Sequence, residues 1–535
     1  MKRTLLSIVI ISILALASCK PDSNVSGEDY DVIIVGAGGG GLAAATRLTL
    51  AGKKVLLIEQ HSKVGGYMSS FERGDYTFEV SLHAINGLDP EKGLLIPLLK
   101  DLGIHDKIKP VRLDPMYKAF FPDFSMVVPA DAEEYRKILI KRFPHEKEGI
   151  DRFYAEIGHL LTVMDANALV TNGEYLSGIW KMISNPRAMV TVISCVNSTM
   201  AGFLDRFFTD EALRTVMAAY TGMLGDGPDN IAGMIFAGMW AAYHNNGCYY
   251  LEGGSQSISS ALEEVIRKNG GEILLSTRVI KILIEDGRAA GVRTRDGKTF
   301  RSRFVISNAN ALDTLFKLVG REYLPREYSE DLEKMEVGAS AFTVYMGVDK
   351  DYREYFPGHT HTLIVMPSFD TEENFRPMRE GDISRVMFGI ANYTKTDPDN
   401  APEGKNVICL VTLMPYDLNN GWREKEGPDA YDEFKNEVAM KLIRRAEEYL
   451  PGLTSHIEEL EVGSPRTNEH YTSNTKGSIY GWAHTVEQGL QNRLPQETPI
   501  ENLLLAGAWT RPSGGQAPVL ISGNTAAEMI LDEMN

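Results

Sequence analysis

The stretch from Asp31 to Gly66 constrains this chain more than any other. Asp31-Val32-Ile33-Ile34-Val35 is a β-branched run that leads directly into Gly36-Ala37-Gly38-Gly39-Gly40-Gly41. A helix-like segment follows over Leu42–Ala51. A second apolar run, Val55-Leu56-Leu57-Ile58, ends in Glu59, and Val64-Gly65-Gly66 comes next. Gly36, Gly38 and Gly41 fit the G-x-G-x-x-G spacing of a dinucleotide-binding turn. The first glycine permits the tight turn out of the strand. The second lets a pyrophosphate approach the backbone, and the third lets the helix pack close to the sheet. The helix N-terminus then offers unpaired N–H groups and a partial positive charge to phosphate. Glu59, at the end of the second strand, is placed to accept from ribose hydroxyls and would repel a 2′-phosphate, which argues against NADP.

At 535 residues the chain exceeds one ordinary core, so at least two lobes are expected. Its 43% hydrophobic and 24% charged content are globular values. The formal net charge of −17 argues against nucleic acid as a partner, and against electrostatic docking to anionic lipid. Lys2-Arg3 precede an apolar run, Leu5–Leu16, too short for a comfortable membrane span. Leu16-Ala17-Ser18-Cys19 resembles a bacterial lipobox, in which Cys19 becomes the lipidated first residue; the alternatives are an ordinary secretory signal or an uncleaved anchor. Residues 20–28 are polar and read as a tether. Loss of residues 1–18 leaves 53 basic against 72 acidic residues, a net charge of about −19. Cys195, Cys248 and Cys409 are widely spaced and imply neither a disulfide framework nor a metal motif; Cys409, in the run Val407–Leu413, reads as a buried thiol. His359-Thr360-His361 reads as a loop or strand edge, so no metal is expected.

Residues 69–88 read as a hairpin leading toward the glycine turn. Residues 131–164 read as helical, with Tyr135, Ile138 and Leu139 on one face and Phe153, Ile157, Leu160 and Leu161 on a later one. From Tyr175 to Tyr250 the chain is helix-prone and rich in Met and aromatics, a composition that fits a core or the wall of a pocket for a long apolar ligand. Leu251-Glu252-Gly253-Gly254 opens a helix over Ile258–Lys268. Strands are expected at Glu272–Leu275, Val279–Ile284 and Phe304–Ala309, with turns at Asp286-Gly287 and Asp296-Gly297. Residues 337–348 and 407–414 are strand-like and should build a second sheet, and 430–450 should be a helix. Near the C-terminus, Asn502-Leu503-Leu504-Leu505-Ala506-Gly507 reads as a buried strand. A glycine loop follows through Ser513-Gly514-Gly515-Gln516-Ala517-Pro518-Val519, and then a helix to about Met529, with Pro518 suited to its first turn. That arrangement supplies a second helix N-terminus.

Gly36–Gly41, Glu59, Gly65-Gly66, Phe78-Glu79, Tyr249–Gly254, Ser307-Asn308-Ala309, Ser478–Gly481 and Asn502–Val519 occur in an order that resembles the two-dinucleotide-binding flavoproteins. Within them it resembles the phytoene desaturase, carotenoid isomerase and retinol saturase family, over roughly residues 29–532. The resemblance implies an α/β fold: a Rossmann-like FAD-binding domain in three parts (29–100, 251–320, 476–535) and an α+β substrate domain in two (101–250, 321–475). Residues 1–18 would be the signal and 19–28 the tether. It implies FAD held by Gly36, Gly38, Gly41, Glu59, Gly65, Gly66, Val279, Asn308, Gly507, Gly515 and Val519. The substrate would be a small apolar molecule, a conjugated isoprenoid altered by desaturation, saturation or isomerisation. His83, Glu79 and Tyr480 are the polar candidates for the catalytic end, with Trp509 beside the ring. Ser81, where relatives often have glycine, and the Pro512-Ser513-Gly514-Gly515 loop depart from the family's pattern close to the reacting end. The electron acceptor is not legible. The rival readings are an amine or amino-acid oxidase of the same fold and a non-enzymatic flavin lipoprotein. The lipobox places the domain outside the cytoplasm, anchored to a bacterial membrane by lipid.

Overall fold

The computed structural model describes residues 25–171 and 175–534. Strand β1 (Val25–Val35), helix α1 (Gly39–Leu50) and strand β2 (Val55–Ile58) form the expected strand–turn–helix–strand unit. β1 pairs in parallel with β2, Val32 against Val55 through Val35 against Ile58. Two ends differ from expectation. β1 begins at Val25, so part of the expected tether is strand, paired with Thr299. α1 begins at Gly39, three residues early, because Gly39-Gly40-Gly41 are buried against neighbouring elements rather than free to turn.

The first sheet takes strands from distant parts of the chain. Glu272–Leu274 lies outside β2 in parallel, and β3 (Thr299–Ser307) pairs in parallel on the other side of β1. Strand β4 (Leu503–Leu505) adds in parallel to the end of β3. Val279–Glu285 and Arg288–Thr294 extend the sheet as an antiparallel hairpin. Its turn has positive φ at Asp286 (50°) and Gly287 (82°), as the Asp-Gly pair requires. β1, β2 and the end of β3 are buried on both faces, which is why they read as continuous apolar runs.

A second seven-stranded sheet has the order 457–463, 340–348, 406–414, 388–392, 362–365, 117–120, 125–128. Of these the sequence indicates two, expected at 337–348 and 407–414 and found at 340–348 and 406–414; Tyr117–Phe120 and Ser125–Val128 are too short to announce themselves. A long helix over Lys147–Thr171 is followed by α2 (Tyr175–Ile183), α3 (Pro186–Val196) and α4 (Gly233–Asn245), and all three pack against it. The expected helix over 131–164 breaks at Phe143-Pro144, where a proline cannot continue the backbone ladder. The chain ends in α5 (Gln516–Met534), which packs across α1. The contact is close because a Cβ at Gly523 would overlap the Gly40 carbonyl oxygen.

Candidate active site

A cavity of about 610 Å³ runs from the carboxyl ends of β1 and β3 to the face of the second sheet. Gly36, Gly38, Glu59, Gly65, Gly66, Val279, Asn308, Gly507, Gly515 and Val519 all line it, as do His83, Tyr480 and Trp509. Three predicted residues do not. Cys19 lies outside the described residues. Gly41 stands behind the cradle, where a Cβ would overlap the Gly36 carbonyl oxygen; its part is to seat α1 on the strand end. Glu79 is also off the wall and is corrected below.

At the first-sheet end the wall is mostly backbone. Gly36 turns with φ of 94° and donates its N–H to Ile58 O at 2.8 Å. Gly65 (φ 122°) donates to Ala37 O at 2.8 Å, so the second glycine pair closes onto the first turn. Each Glu59 oxygen takes one backbone N–H: Oε2 from Ala37 at 2.7 Å and Oε1 from His61 at 2.8 Å. That leaves lone pairs on both oxygens toward the cavity. The N-cap of α1 is Gly38, with no side-chain cap and no acidic residue in the first turn, so its N–H groups remain available to an anion. A Cβ at Gly66 would meet only Gly38 Cα at 3.4 Å, and one at Gly515 only the Pro518 ring at 3.5 Å or more. Gln516, at the start of α5, lines the cavity with both amide atoms buried and unpartnered by protein. Glycine-walled room, two helix N-termini, a carboxylate with free lone pairs and an orphaned amide fit a dinucleotide.

At the other end the wall is made of side chains. Tyr220, Met234, Ile235, Met239, Met387 and Phe388 line it. The Met and aromatic stretch therefore divides. Phe203, Phe208, Met217 and Phe236 are core, whereas Tyr220, Met234, Met239 and Tyr243 face the cavity. Between the two ends runs the Val80–Asn86 segment, pinned from several sides. Tyr345 Oη donates to Val80 O at 3.0 Å, and Tyr243 Oη donates to Ala84 O at 3.1 Å. His361 Nε2 donates to His83 O at 2.7 Å, while its Nδ1 accepts from Thr396 Oγ1 at 3.0 Å. Tyr393 Oη meets His83 Nδ1 at 2.8 Å. Burial pulls the His83 imidazole down to about 4 and His361 to about 3, so both rings are neutral at neutral pH. Burial pushes the Tyr480 phenol up to about 12, which keeps its proton.

Glu79 takes N–H donations from Ser81, Leu82 and Ser255 and an O–H from Ser255, at 2.7 to 3.1 Å. Burial raises its carboxyl, and these donors pull it back. Its oxygens are occupied, and it ties the hairpin to the Gly253-Gly254 turn. It is a structural clamp rather than a catalytic acid. Arg493 carried no signal in the sequence, yet it braces the Tyr480 and Ala508 part of the cavity wall. Fully buried, it donates to the carbonyls of Tyr480 and Ala508 at 2.5 Å and of Trp482 at 3.2 Å. Burial lowers its guanidinium to about 9. Ser81 Oγ donates to Tyr67 O at 2.7 Å, so its hydroxyl has a local partner.

A profile of the flavin containing amine oxidoreductase family matches residues 40–531. The chain belongs to this family. It is an FAD-dependent oxidoreductase, with the fold of the family's solved members. The chloroplastic prolycopene isomerase of Arabidopsis thaliana is 29% identical over 511 residues, covering 94% of this chain and 82% of that one. The all-trans-retinol 13,14-reductase of Danio rerio is 26% identical over 526 residues, covering 90% and 82%. The cyclohexylamine oxidase structure from Brevibacterium oxydans superposes with a TM-score of 0.59 at 16% identity, over 95% of this flavoprotein and 100% of that chain.

Proposed function

We propose that this flavoprotein acts on a long apolar polyene or isoprenoid, by desaturation, saturation or isomerisation. The observation that carries this reading is the charge distribution on the cavity wall. Among the described residues the charged side chains lining it are Glu59, Arg278 and Asp313, all at the first-sheet end. The Tyr220–Met387 end offers no carboxylate for an ammonium group and no arginine for a carboxylate. An amine or amino acid buried there would lack a charged partner, whereas a polyene needs none. The relatives named for prolycopene and all-trans-retinol support the same substrate class.

FAD, when bound, supplies hydride chemistry. The chain's own residues bind and orient. The Met and aromatic wall holds an apolar chain in register and excludes water. His83, neutral and tied to Tyr393, presents a ring that neither charges nor turns freely. Tyr480 keeps its proton at the same end. The N-terminus of α5 aims a positive dipole end at the cavity, where negative charge on a reduced cofactor would be stabilised.

The test is anaerobic titration of the protein with carotenoid and retinoid polyenes and with primary amines, reading the flavin absorbance. Polyene-dependent oxidation or reduction of the flavin, or polyene isomerisation by the flavin-loaded protein alone, supports the proposal. Bleaching by amines alone overturns it in favour of an amine oxidase. We further propose export and lipid anchoring through Cys19, supported by Lys2-Arg3, the Leu5–Leu16 run and Leu16-Ala17-Ser18-Cys19. Labelled palmitate incorporated by the native chain and lost in Cys19→Ala is the expected result; equal labelling overturns the anchor.

A further inference from the structure

Trp180, Ile183, Val190 and Ile193 are the most exposed large apolar side chains among the described residues, at 72%, 68%, 66% and 58%. All four lie on α2 and α3. On α3 the inner face is Ala188, Thr191 and Cys195, buried. The outer face, where a surface helix normally carries charge, is Met189, Val190, Ile193 and Val196. Clustered exposure of this kind marks a contact surface.

Charge identifies the contact. Roughly one residue in seven of the chain is acidic. From Tyr175 to Leu204 there is no Asp or Glu, and the two charged residues are Lys181 and Arg187. Within this stretch a strongly acidic protein thus carries no acidic residue and two basic ones. Among the described residues no helix is long and apolar enough to cross a membrane. A short amphipathic pair with a tryptophan and basic residues lies in the lipid interface instead. The position is also apt. α3 packs on α4, and α4 lines the cavity through Met234, Ile235, Gly238 and Met239.

We propose that the outer face of α2 and α3 docks on the surface of a bilayer containing anionic lipid, and so sets the apolar wall of the cavity next to the lipid in which a polyene dissolves. This names where the substrate is met. Only that delivery clause rests on the function proposed above; docking itself needs no substrate, so the two fail separately.

Trp180 provides the readout, because the other four tryptophans (240, 422, 482 and 509) are buried. The full-length flavin-loaded protein is mixed with vesicles of equal parts dibrominated phosphatidylcholine and dibrominated phosphatidylglycerol, and with the same lipids unbrominated. Bromine quenches indole only at close range. The expected result is loss of most of the Trp180 emission in brominated vesicles, absent in Trp180→Phe. In Val190→Asp/Ile193→Asp, the lipid concentration for half-maximal quenching should rise about tenfold or more. Both positions are exposed, so the double variant should keep its flavin spectrum and circular dichroism. Protein that floats with vesicles through its N-terminus while Trp180 stays unquenched overturns the proposal. Quenching unchanged in the double variant also overturns it. So does a Trp180 indifferent to lipid in a dimer that the double variant dissociates, which would make the face a contact between copies.

Discussion

At the first-sheet end of the cavity the wall is backbone, and at the second-sheet end it is side chain. Gly36, Gly38, Gly65 and Gly66 bring amides and Cα atoms to the surface, and what matters there is the absence of a Cβ. The Val80–Asn86 segment, which runs from there toward the side-chain end, is held instead by Tyr243, Tyr345, His361 and Tyr393, which come from separate stretches of the chain. The difference teaches how each end fails. A backbone wall tolerates nearly any neighbouring side chain but no added atom. A side-chain wall tolerates changes in volume but depends on every hydrogen-bond partner remaining uncharged and in place.

The sharpest break of the backbone end is Gly41→Val. Its branched side chain would press on the Gly36 carbonyl, a backbone atom that cannot swing away. The expected outcome is a cost of about 3 kcal/mol or more and protein that purifies without flavin absorbance. A yellow, folded Gly41→Val protein would refute the cradle.

Acid should break the other end first. Burial holds His83 at about 4 and His361 and His484 at about 3, and it holds His244, packed on Tyr135 and Trp240 away from the cavity wall, at about 4. The ordinary value in an unfolded chain is about 6.5. Above pH 6.5 neither state takes up these protons, and stability is indifferent to them. Below it the unfolded state binds protons that the folded state refuses, so stability falls until the folded values are reached. Each histidine contributes about 1.4 kcal/mol per pH unit in that window. Denaturant melts from pH 7 to pH 5 should show the loss, and His361→Gln should make the slope shallower by that amount.

Gly523→Ala separates helix packing from cofactor contact. Its methyl would overlap the Gly40 carbonyl and push α5 off α1. A loss of about 1–3 kcal/mol is expected by urea titration, with flavin affinity falling in parallel. Smallest is Tyr393→Phe, which removes one hydrogen bond to His83. It should cost about 1 kcal/mol in melts, keep the flavin, and move the pH dependence of turnover because the imidazole loses its anchor.

Legibility in the sequence followed the same division. β1, α1, β2 and the Asp286-Gly287 turn were readable because their signals lie within a few residues and depend on dihedral freedom or periodicity. α1 starts earlier than its sequence indicates because Gly39 and Gly40 are helical for tertiary reasons, namely the approach of α5 and of Gly507. Tyr117–Phe120 and Ser125–Val128 were missed because four residues carry too little periodicity; they pair with each other, and the strand that ties them into the sheet, Thr362–Val365 beside Tyr117–Phe120, is more than 200 residues away. Glu79 looked available for proton transfer because nothing in the sequence shows that Ser255 closes over it.

The sequence alone determined the cofactor class, and with it the glycine turn, the helix start and the carboxylate that line one end of the cavity. That class follows from missing Cβ atoms, a helix start and one carboxylate, all within thirty residues. Tertiary structure alone decided that Glu79 is a clamp, that Arg493 braces the Tyr480 and Ala508 part of the cavity wall, and that part of the Met and aromatic stretch faces the cavity. It also decided that the apolar side chains of α2 and α3 point outward. The physical reason is that burial and hydrogen-bond partnership are relations between distant segments, whereas backbone freedom belongs to each residue by itself.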